Sequence, residues 1–291
     1  MNILTFDIEE WYRNHQKGGP EKYYNDYNSY LESILDKLDQ RKEKATFFCV
    51  GEMGRLFPHV IQKIYNRGHE IGCHSNNHTW LNKMTETECR EDTYRAVDSL
   101  EQCIGEKVKS YRAPAFSIGE KNKWAFEILA ENGIERDASI FPASRDFGGF
   151  PNFGQKTLCV LEYNGLPIKE FPICTTKVMG KEMAYSGGGY FRFFPLGFVE
   201  KNMKNSPYAM CYFHIGDLIP ESHGVMSKEA YEAYFKEPGT LKARYMRYLK
   251  SNFGKKNAFQ KMMRLIDDIE FVNLQQADES IDWAAATVVT L

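Results

Sequence analysis

The stretch Ile71-Gly72-Cys73-His74-Ser75-Asn76-Asn77-His78-Thr79-Trp80 places two histidines four residues apart, directly after a short apolar run. On a helical turn, this spacing would put both imidazoles on one face. Imidazole is the commonest protein ligand for divalent transition metals. With a third, anionic ligand, His74 and His78 would form an open site in which a metal activates a water molecule. The same spacing is also found in ordinary pairs of surface histidines, so the pair alone leaves both interpretations open.

The N-terminal stretch is the best source of the anionic ligand. Asp7, Glu9 and Glu10 follow an apolar strand predicted over residues 2–6. Because side chains alternate along a strand, Asp7 and Glu9 share one face, and Glu10 is less favoured to point inward. In a metal site, one carboxylate binds the metal and another accepts a proton from the water as general base. The alternative is a solvated beginning of a loop.

Strands and helices alternate through the first half of the chain, which predicts a parallel α/β sheet or barrel. The predicted strands after the first cover residues 45–50, 70–73 and 108–112, and the predicted helices cover residues 26–40, 58–68, 85–104 and 121–132. Candidate polar residues recur where predicted strands end: Asp7, Glu9, His74, Arg112, Asp137 and, in the second half, His214. In a β/α barrel such residues gather at one catalytic face. Alternatively, Arg112 and Asp137 form a structural ion pair and His214 is a core histidine.

Composition is that of an ordinary globular protein. The chain has 291 residues, of which 43% are hydrophobic and 26% charged. We predict one domain over residues 1–291, with the motifs within residues 1–218 and a helical extension over 219–291. The net charge of −2 gives no indication of nucleic acid or of an anionic membrane surface as a partner. The oligomeric state stays open.

Cysteine usage and the absence of long apolar runs favour the cytoplasm. The seven cysteines are odd in number and form no close CxxC pair, as expected of reduced thiols. The printed sequence begins without a signal-like segment, and no apolar run reaches the length of a membrane span. We therefore expect a cytoplasmic protein without a membrane span.

The ordered set of motifs resembles the polysaccharide deacetylases, the NodB-homology or carbohydrate esterase family 4 group. Five stretches follow the family's order: Thr5-Phe6-Asp7, His74-Ser75-Asn76-Asn77-His78, Arg112-Ala113-Pro114-Ala115-Phe116, Asp137-Ala138-Ser139 and Phe213-His214. The resemblance covers roughly residues 1–218. The stretch Ser186-Gly187-Gly188-Gly189-Tyr190-Phe191-Arg192 lacks the Lys-Ser/Thr of a phosphate-binding loop. Together with the C-terminal helices, it is instead similar to a longer subgroup associated with exopolysaccharide biosynthesis.

The resemblance implies a distorted β/α barrel with about seven parallel strands and hydrolysis of an N-acetyl group on an amino sugar. By residue, it implies Asp7 as base, oriented by Arg112, and His214 as the acid that protonates the leaving amine, tuned by Asp137. It implies His74 and His78 as ligands of a divalent metal. Zinc is the metal expected, and cobalt, nickel or iron suit the same ligands. We expect Phe116 and Arg192 to face the carbohydrate substrate.

The chain departs from the family pattern at two places. The family usually has Asp-Asp in its first motif, whereas Asp7 is followed by Ile8. Some relatives use Asp-x-Asp, which would make Glu9 the metal ligand and agrees with the strand-face argument. The Trp usual in the fourth motif is replaced by Ile140-Phe141. Two alternatives to carbohydrate deacetylation therefore stay open: hydrolysis of a small cyclic amide or other C–N bond, and a saccharide-binding protein that has lost its metal.

Two further expectations concern surface features. A loop or insertion over residues 144–165 is expected to shape the site, and His223 is expected at the surface.

Overall fold

The computed structural model describes residues 1–145, 148–220, 224–235 and 237–291. Within these ranges the chain forms eleven strands: β1 (Asn2–Ile8), β2 (Thr46–Cys49), β3 (Glu70–Cys73), β4 (Ser110–Tyr111), β5 (Arg136–Asp137), β6 (Cys159–Tyr163), β7 (Leu166–Glu170), β8 (Thr175–Val178), β9 (Lys181–Ala184), β10 (Ala209–His214) and β11 (Thr287–Thr290). His223, and Asp146 and Phe147 of the loop expected over 144–165, lie outside the described residues.

Seven neighbouring strands are parallel, as the predicted β/α barrel requires. Their order is β10-β1-β2-β3-β4-β5-β7, and β6 then pairs antiparallel with β7 and parallel with β11. Strands β8 and β9 form a separate hairpin. The fold class predicted from the sequence is confirmed. The side chains of β1 explain its central place: Ile3, Leu4, Phe6 and Ile8 are fully buried, as expected in a parallel sheet covered on both faces.

The helices predicted over residues 26–40, 58–68, 85–104 and 121–132 are present, with ends that differ by up to four residues, among the thirteen α-helices of the described residues. The thirteen helices are α1 (Glu10–Gln16), α2 (Lys22–Arg41), α3 (Gly51–Leu56), α4 (Pro58–Asn66), α5 (Glu86–Ile104), α6 (Ala125–Glu131), α7 (Gly188–Phe193), α8 (Leu196–Lys204), α9 (Ile215–Leu218), α10 (Lys228–Phe235), α11 (Leu241–Asn252), α12 (Ala258–Asp268) and α13 (Leu274–Ser280). The predicted capping box at the start of α5 is present, with Thr85 and Glu88 each accepting the other's backbone N–H. Gly105 ends this helix with φ +76°, a conformation that glycine adopts readily.

The C-terminal region returns to the sheet. Helices α10 to α13 agree with the expected extension, but the chain then forms strand β11, which the sequence did not predict. Before α13, the backbone of Val272 exchanges hydrogen bonds with Asn2 and Leu4 at 3.0 and 3.1 Å. Whether residues 1–291 form one domain stays a prediction.

A buried network of polar side chains closes the N-terminal edge of the parallel strands. We call Thr46, Glu70, Ser110, Arg136 and Asp278 the N-terminal network. Arg136 donates to Asp278 at 3.0 Å and to Glu70 at 3.3 Å. Glu70 also accepts hydrogen bonds from the hydroxyls of Thr46 and Ser110, at 2.6 and 2.5 Å. The network fastens α13 to the starts of four strands, because Asp278 lies in α13 and the other members begin β2, β3, β4 and β5.

Candidate metal centre and active site

The carboxyl ends of the parallel strands bring the predicted polar residues together. Asp7 lies opposite His214 in the pairing of β1 with β10. His74 follows the last residue of β3, and Arg112 follows β4, which pairs with β3. We call this group the C-terminal site, because it lies at the carboxyl ends of the strands. Its members are Asp7, Glu9, His74, His78, Arg112 and His214. Its members come from chain segments more than 200 residues apart, and the sheet register makes them neighbours.

Glu9, His74 and His78 form a cluster that could hold a metal ion. One ligand atom from each lies within 4.8 Å of the other two. The two imidazole ring centres are 5.2 Å apart, and Nε2 of His78 contacts the Glu9 carboxylate directly. One carboxylate and two imidazoles match the ligand types of catalytic zinc sites that keep a coordination position open.

His74 has a ring nitrogen that is available to bind a cation. Its Nδ1 donates to the carbonyl oxygen of Arg112 at 2.7 Å, which leaves the lone pair on Nε2. Nε2 is buried, and among the described residues it has no hydrogen-bond partner. Burial, only partly opposed by Asp7, lowers the pKa of His74 to about 4, so the ring is neutral near pH 7. A buried, neutral and unpartnered nitrogen costs stability unless something binds it, and a divalent metal is the ligand that suits it.

The loop that carries the two histidines is not the helical turn that the spacing suggested. Ser75 and His78 have φ values of +59° and +61°, in the left-handed region that non-glycine residues rarely adopt. Asp92 of α5 supports the loop by accepting the backbone N–H of Asn76 at 2.9 Å. The imidazoles are therefore close because of strained loop geometry, which the sequence pattern did not predict.

Glu9 is held as a carboxylate. It accepts a hydrogen bond from Arg13 at 2.6 Å, and its other oxygen lies against His78. Burial alone would raise the pKa of Glu9, but the charges of His78 and Arg13 outweigh burial and lower it well below its usual range. The extra methylene of glutamate thus does not prevent Glu9 from reaching the two histidines.

Asp7 is a buried carboxylate oriented by Arg112. Nη1 of Arg112 lies 2.8 Å from Oδ1 of Asp7 and 2.8 Å from the hydroxyl of Thr5. Burial raises the pKa of Asp7, and the charge of Arg112, with His74 and His214, more than offsets this effect, so the pKa is lowered. The second oxygen, Oδ2, lies 3.7 Å from Nε2 of His214. Asp7 is therefore ionised, fixed on one oxygen and directed into the site with the other.

The carboxylate partner of His214 is Asp217, which corrects the expectation that Asp137 tunes this histidine. Nδ1 of His214 lies 3.3 Å from Asp217, three residues further along the chain. Burial alone would lower the pKa of His214, but Asp217, Glu9 and Asp7 together raise it to about 10. A ring held as imidazolium can give up a proton, as a general acid must.

Arg192 supports Asp217, although the sequence pointed to a substrate contact. Its guanidinium lies 3.0 Å from Asp217 and donates to backbone carbonyls of Ser251 and Lys250 at 3.0 and 3.2 Å. The hydrogen bond with His214 and the charge of Arg192 overcome burial and lower the pKa of Asp217 to about 2. The spacing of His214 and Asp217 in the sequence could have suggested their pairing, because residues three apart on a helical turn are neighbours.

Asp137 belongs to the support behind the site. Its carboxylate accepts the backbone N–H and the hydroxyl of Ser139, at 2.9 and 2.6 Å. Ser139 in turn accepts the N–H of Ala113, next to Arg112. Burial raises the pKa of Asp137, and burial beside Asp137 raises the pKa of Glu170 well above its usual range, so Glu170 carries the proton of the pair.

Phe116 is also packed rather than open to a ligand. Only 4% of its surface is exposed, and its ring lies 5.1 Å from that of Tyr212 and 5.0 Å from the guanidinium of Arg145. Its φ of +53° belongs to a sharp bend that follows Arg112 along the chain. Phe116 therefore does not lie open to a substrate, as was expected from the sequence.

Glu10 contributes to the site, although the alternation of side chains along a strand predicted that Glu10 was less favoured to point inward. It is buried, and its carboxylate accepts the N–H of Gly216 at 2.6 Å, in the turn between His214 and Asp217. Burial, with a contribution from Glu9, raises the pKa of Glu10 to about 7. Glu10 thus links the strand that carries Asp7 to the turn that carries His214.

The family model described as polysaccharide deacetylase matches residues 3–136, which include Asp7, Glu9, both loop histidines and Arg112. The matched part of the chain, residues 3–136, therefore belongs to the polysaccharide deacetylase family. The resemblance inferred from the five sequence motifs is thereby confirmed. A second model, of a domain of unknown function (DUF3473), matches residues 138–279, where His214 and Asp217 lie.

Relatives of the chain include proteins named as deacetylases of several polysaccharides. A Bacillus cereus peptidoglycan-N-acetylglucosamine deacetylase is 41% identical over 95 residues, which are 32% of this chain and 34% of that protein. Chitin deacetylase 1 of Cryptococcus neoformans is 26% identical over 101 residues, which are 35% of this chain and 21% of that protein. The chain spans about a third or less of the length of these relatives.

The fold has a solved counterpart. The crystal structure of a candidate polysaccharide deacetylase from Mycobacterium smegmatis superposes with a TM-score of 0.63 and covers 100% of this chain and 92% of that one. At 18% sequence identity this likeness shows the shared fold. In the described part of the chain, none of the helices has the length and apolar character needed to cross a membrane.

Proposed function

We propose that this protein is a metal-dependent hydrolase that removes an N-acetyl group from an amino sugar in a saccharide. The observation that carries the proposal is the buried, unpartnered Nε2 of His74, which lies in one cluster with Glu9 and His78. Beside this cluster are an ionised carboxylate, Asp7, and a protonated imidazole, His214. Relatives named as N-acetylglucosamine deacetylases support this sugar as the first substrate to test.

Glu9, His74 and His78 would hold the cation. When bound, a divalent metal supplies a Lewis acid for the acetyl carbonyl and lowers the pKa of a water molecule. Two nitrogen ligands and one carboxylate favour zinc, and cobalt, nickel or iron accept the same set. Arg13 fixes the carboxylate of Glu9, and the backbone carbonyl of Arg112 fixes the ring of His74, so two of the ligands have a defined orientation.

Asp7 would act as the general base. Its Oδ1 is occupied by Arg112, so Oδ2 is the oxygen free to accept a proton from the attacking water. The water oxygen then bonds to the acetyl carbon. Arg112 would not contact the substrate, because its guanidinium is buried against Thr5, Asp7 and Ala138.

His214 would act as the general acid. Its Nε2 lies 3.7 Å from Asp7 and 3.9 Å from Glu9, on the side of the ring opposite Asp217. Donation of this proton to the sugar nitrogen lets the C–N bond break and releases acetate and a free amine. Asp217 and Arg192 would position His214 and favour its protonated form.

The test is acetate release from chitin oligosaccharides and from the glycan strands of peptidoglycan, which contain N-acetylglucosamine. Protein stripped with chelator should release no acetate, and zinc or cobalt should restore release. Ring opening of a cyclic amide without acetate release from any saccharide would favour the alternative amidohydrolase. Saccharide binding without metal binding or hydrolysis would favour the binding protein. Either result would overturn the proposal.

A further inference from the structure

The helix α11 presents an apolar and basic surface that the catalytic proposal does not use. Its exposed residues are Leu241, Lys242, Tyr245, Met246, Leu249 and Lys250. At 100° per residue these positions fall within an arc of about 180°, so they form one face of the helix. None of the residues of α11 is buried, although most helices in proteins are stabilised by burying a face.

Two phenylalanines extend this face beyond the end of α11. Phe253 follows Asn252, and its ring centre is 5.8 Å from that of Phe193. Both rings are 58% exposed. In the described residues, twelve large apolar side chains are exposed, and six of them belong to this one surface. We define the docking face as Leu241, Tyr245, Met246, Leu249, Phe253 and Phe193. Such clustering marks an interaction surface rather than scattered exposure.

The charge of the helix identifies the kind of partner. The sequence of α11, LKARYMRYLKSN, contains four basic residues and no acidic one. Lys242 and Lys250 are exposed beside the apolar side chains, and Lys256 is exposed shortly after the helix. A second copy of this chain would bring lysines against lysines. A partner with an apolar interior and negative surface charge fits better, and this describes an anionic lipid bilayer.

The docking face is connected to the C-terminal site. The guanidinium of Arg192 joins the carbonyls of Lys250 and Ser251, in the last turn of α11, to Asp217 beside His214. On its other side, the hairpin of α10 and α11 packs on Trp80, just after the histidine loop, through Tyr231 and Phe235. A surface to which α11 binds would therefore lie close to His214.

We propose that α11, with Phe193 and Phe253, docks this protein on an anionic membrane surface. Leucine and aromatic side chains would enter the boundary between headgroups and acyl chains, while lysines reach the lipid phosphates. If the proposed function holds, the substrate would be a saccharide presented at the bilayer, such as one linked to a lipid. The net charge of the chain, −2, does not indicate this basic surface, because acidic residues elsewhere offset the charge of the helix.

Co-sedimentation of the full chain with vesicles tests this proposal without an activity measurement. We expect binding to vesicles of phosphatidylglycerol and phosphatidylcholine, weaker binding at high salt, and little binding to phosphatidylcholine alone. The triple variant Leu241→Ser, Tyr245→Ser, Leu249→Ser should bind at least about tenfold more weakly, and Lys242→Glu should weaken binding to anionic vesicles only. Since these residues are exposed, the variants should fold, which circular dichroism checks.

Matched controls come from exposed residues that do not belong to the docking face. Tyr94 on α5 is 61% exposed, and Lys107 is 79% exposed, so Tyr94→Ser and Lys107→Glu should leave vesicle binding unchanged. Absence of binding to anionic vesicles at low salt would overturn the proposal. Equal binding by the triple variant and the parent would do the same. A dimer in light scattering that the triple variant dissociates would instead assign the face to self-association. None of these results depends on hydrolytic activity.

Discussion

At the N-terminal edge of the parallel strands, Arg136 donates to Glu70 and Asp278, and both oxygens of each carboxylate have partners. At the C-terminal edge, charged residues are buried just as deeply, but Nε2 of His74, which carries a lone pair, has no hydrogen-bond partner in the described residues. Nε2 of His69, at the N-terminal edge, also has no partner there, but it carries a proton, because Nδ1 of His69 accepts the N–H of Ala45. The backbone of the two groups differs too, because Ser75 and His78 of the histidine loop have left-handed φ values, whereas none of the five residues of the N-terminal network does.

The difference teaches that buried charge alone does not mark an active site. A fully satisfied network such as the N-terminal network holds elements together and has nothing left to offer a ligand. The C-terminal site keeps an unsatisfied nitrogen and a strained loop, features that persist where function requires them. Three of the following predictions compare these two regions, and the other two test one region alone.

Substitution at the proposed base should have the largest effect. In Asp7→Asn, acetate release should fall by roughly 10²–10⁴-fold, because the side chain can no longer accept a proton. Metal content should stay at the parent level, because Asp7 is not among the three clustered ligands. Asp278→Asn is the control, since it removes a buried carboxylate charge from the N-terminal network. Full activity in Asp7→Asn would refute the assignment.

Breaking the N-terminal network should cost stability without affecting the site. Arg136→Met leaves Glu70 and Asp278 buried without their shared cation, and removal of one partner from such a group costs about 3–5 kcal/mol. Urea unfolding measures the loss. Bound metal and acetate release by the folded fraction should equal those of the parent. Loss of metal from this variant would contradict the separation of the two edges.

The pairing of His214 with Asp217 predicts a selective defect. Asp217→Asn should slow acetate release from an N-acetyl sugar by about 10²-fold, because His214 loses the anion that favours its protonated form. Hydrolysis of 4-nitrophenyl acetate, whose leaving group needs no proton, should fall much less. Asp137→Asn should show no such difference between substrates. An equal defect with both substrates would contradict the role of Asp217.

Asp92 offers a smaller test through the histidine loop. Asp92→Ala removes the acceptor of the Asn76 N–H and should weaken metal binding by roughly 10- to 100-fold, as loss of a supporting group around metal ligands commonly does. Competition with a fluorescent zinc chelator measures the affinity. Asp278→Asn serves again as the control. Unchanged affinity in Asp92→Ala would mean that the loop holds its shape without this contact.

His69, at the N-terminal edge, predicts the smallest effect. Burial lowers the pKa of His69 to about 4, below the ordinary value of 6.5. Below about pH 6.5, His69 therefore binds more protons in the unfolded chain than in the folded one. Its contribution to the free energy of unfolding falls as the pH falls. Between pH 7 and pH 5, His69 should account for about 2 kcal/mol of this loss. His69→Asn keeps an acceptor for the N–H of Ala45 and should remove this share, measured by urea unfolding at both pH values. An unchanged pH dependence would contradict the burial argument.

Much of the fold could be predicted from the sequence, because alternation of apolar strands with capped helices has local causes. The capping box at Thr85 and the glycine at the end of α5 are examples. Strand β11 was missed because its partner, β6, lies more than 120 residues away in the sequence. Pairings of this kind depend on tertiary contacts.

The sequence predicted which residues form the site better than it predicted the contacts between them. Strand ends indicated Asp7, His74, Arg112 and His214, because parallel strands place their carboxyl ends together. Which carboxylate faces His214 depends on side-chain directions that the motif order does not contain. For the same reason, Arg192 was expected at the substrate but contacts Asp217.

The most direct test of this account is the metal content of three proteins purified without chelator and then supplied with zinc: the parent, the double variant His74→Ala, His78→Ala, and Arg136→Met. We predict about one zinc per chain in the parent and in Arg136→Met, and none in the double variant. Zinc absent from the parent, or equal in all three, would contradict the claim that the C-terminal edge alone forms the metal site.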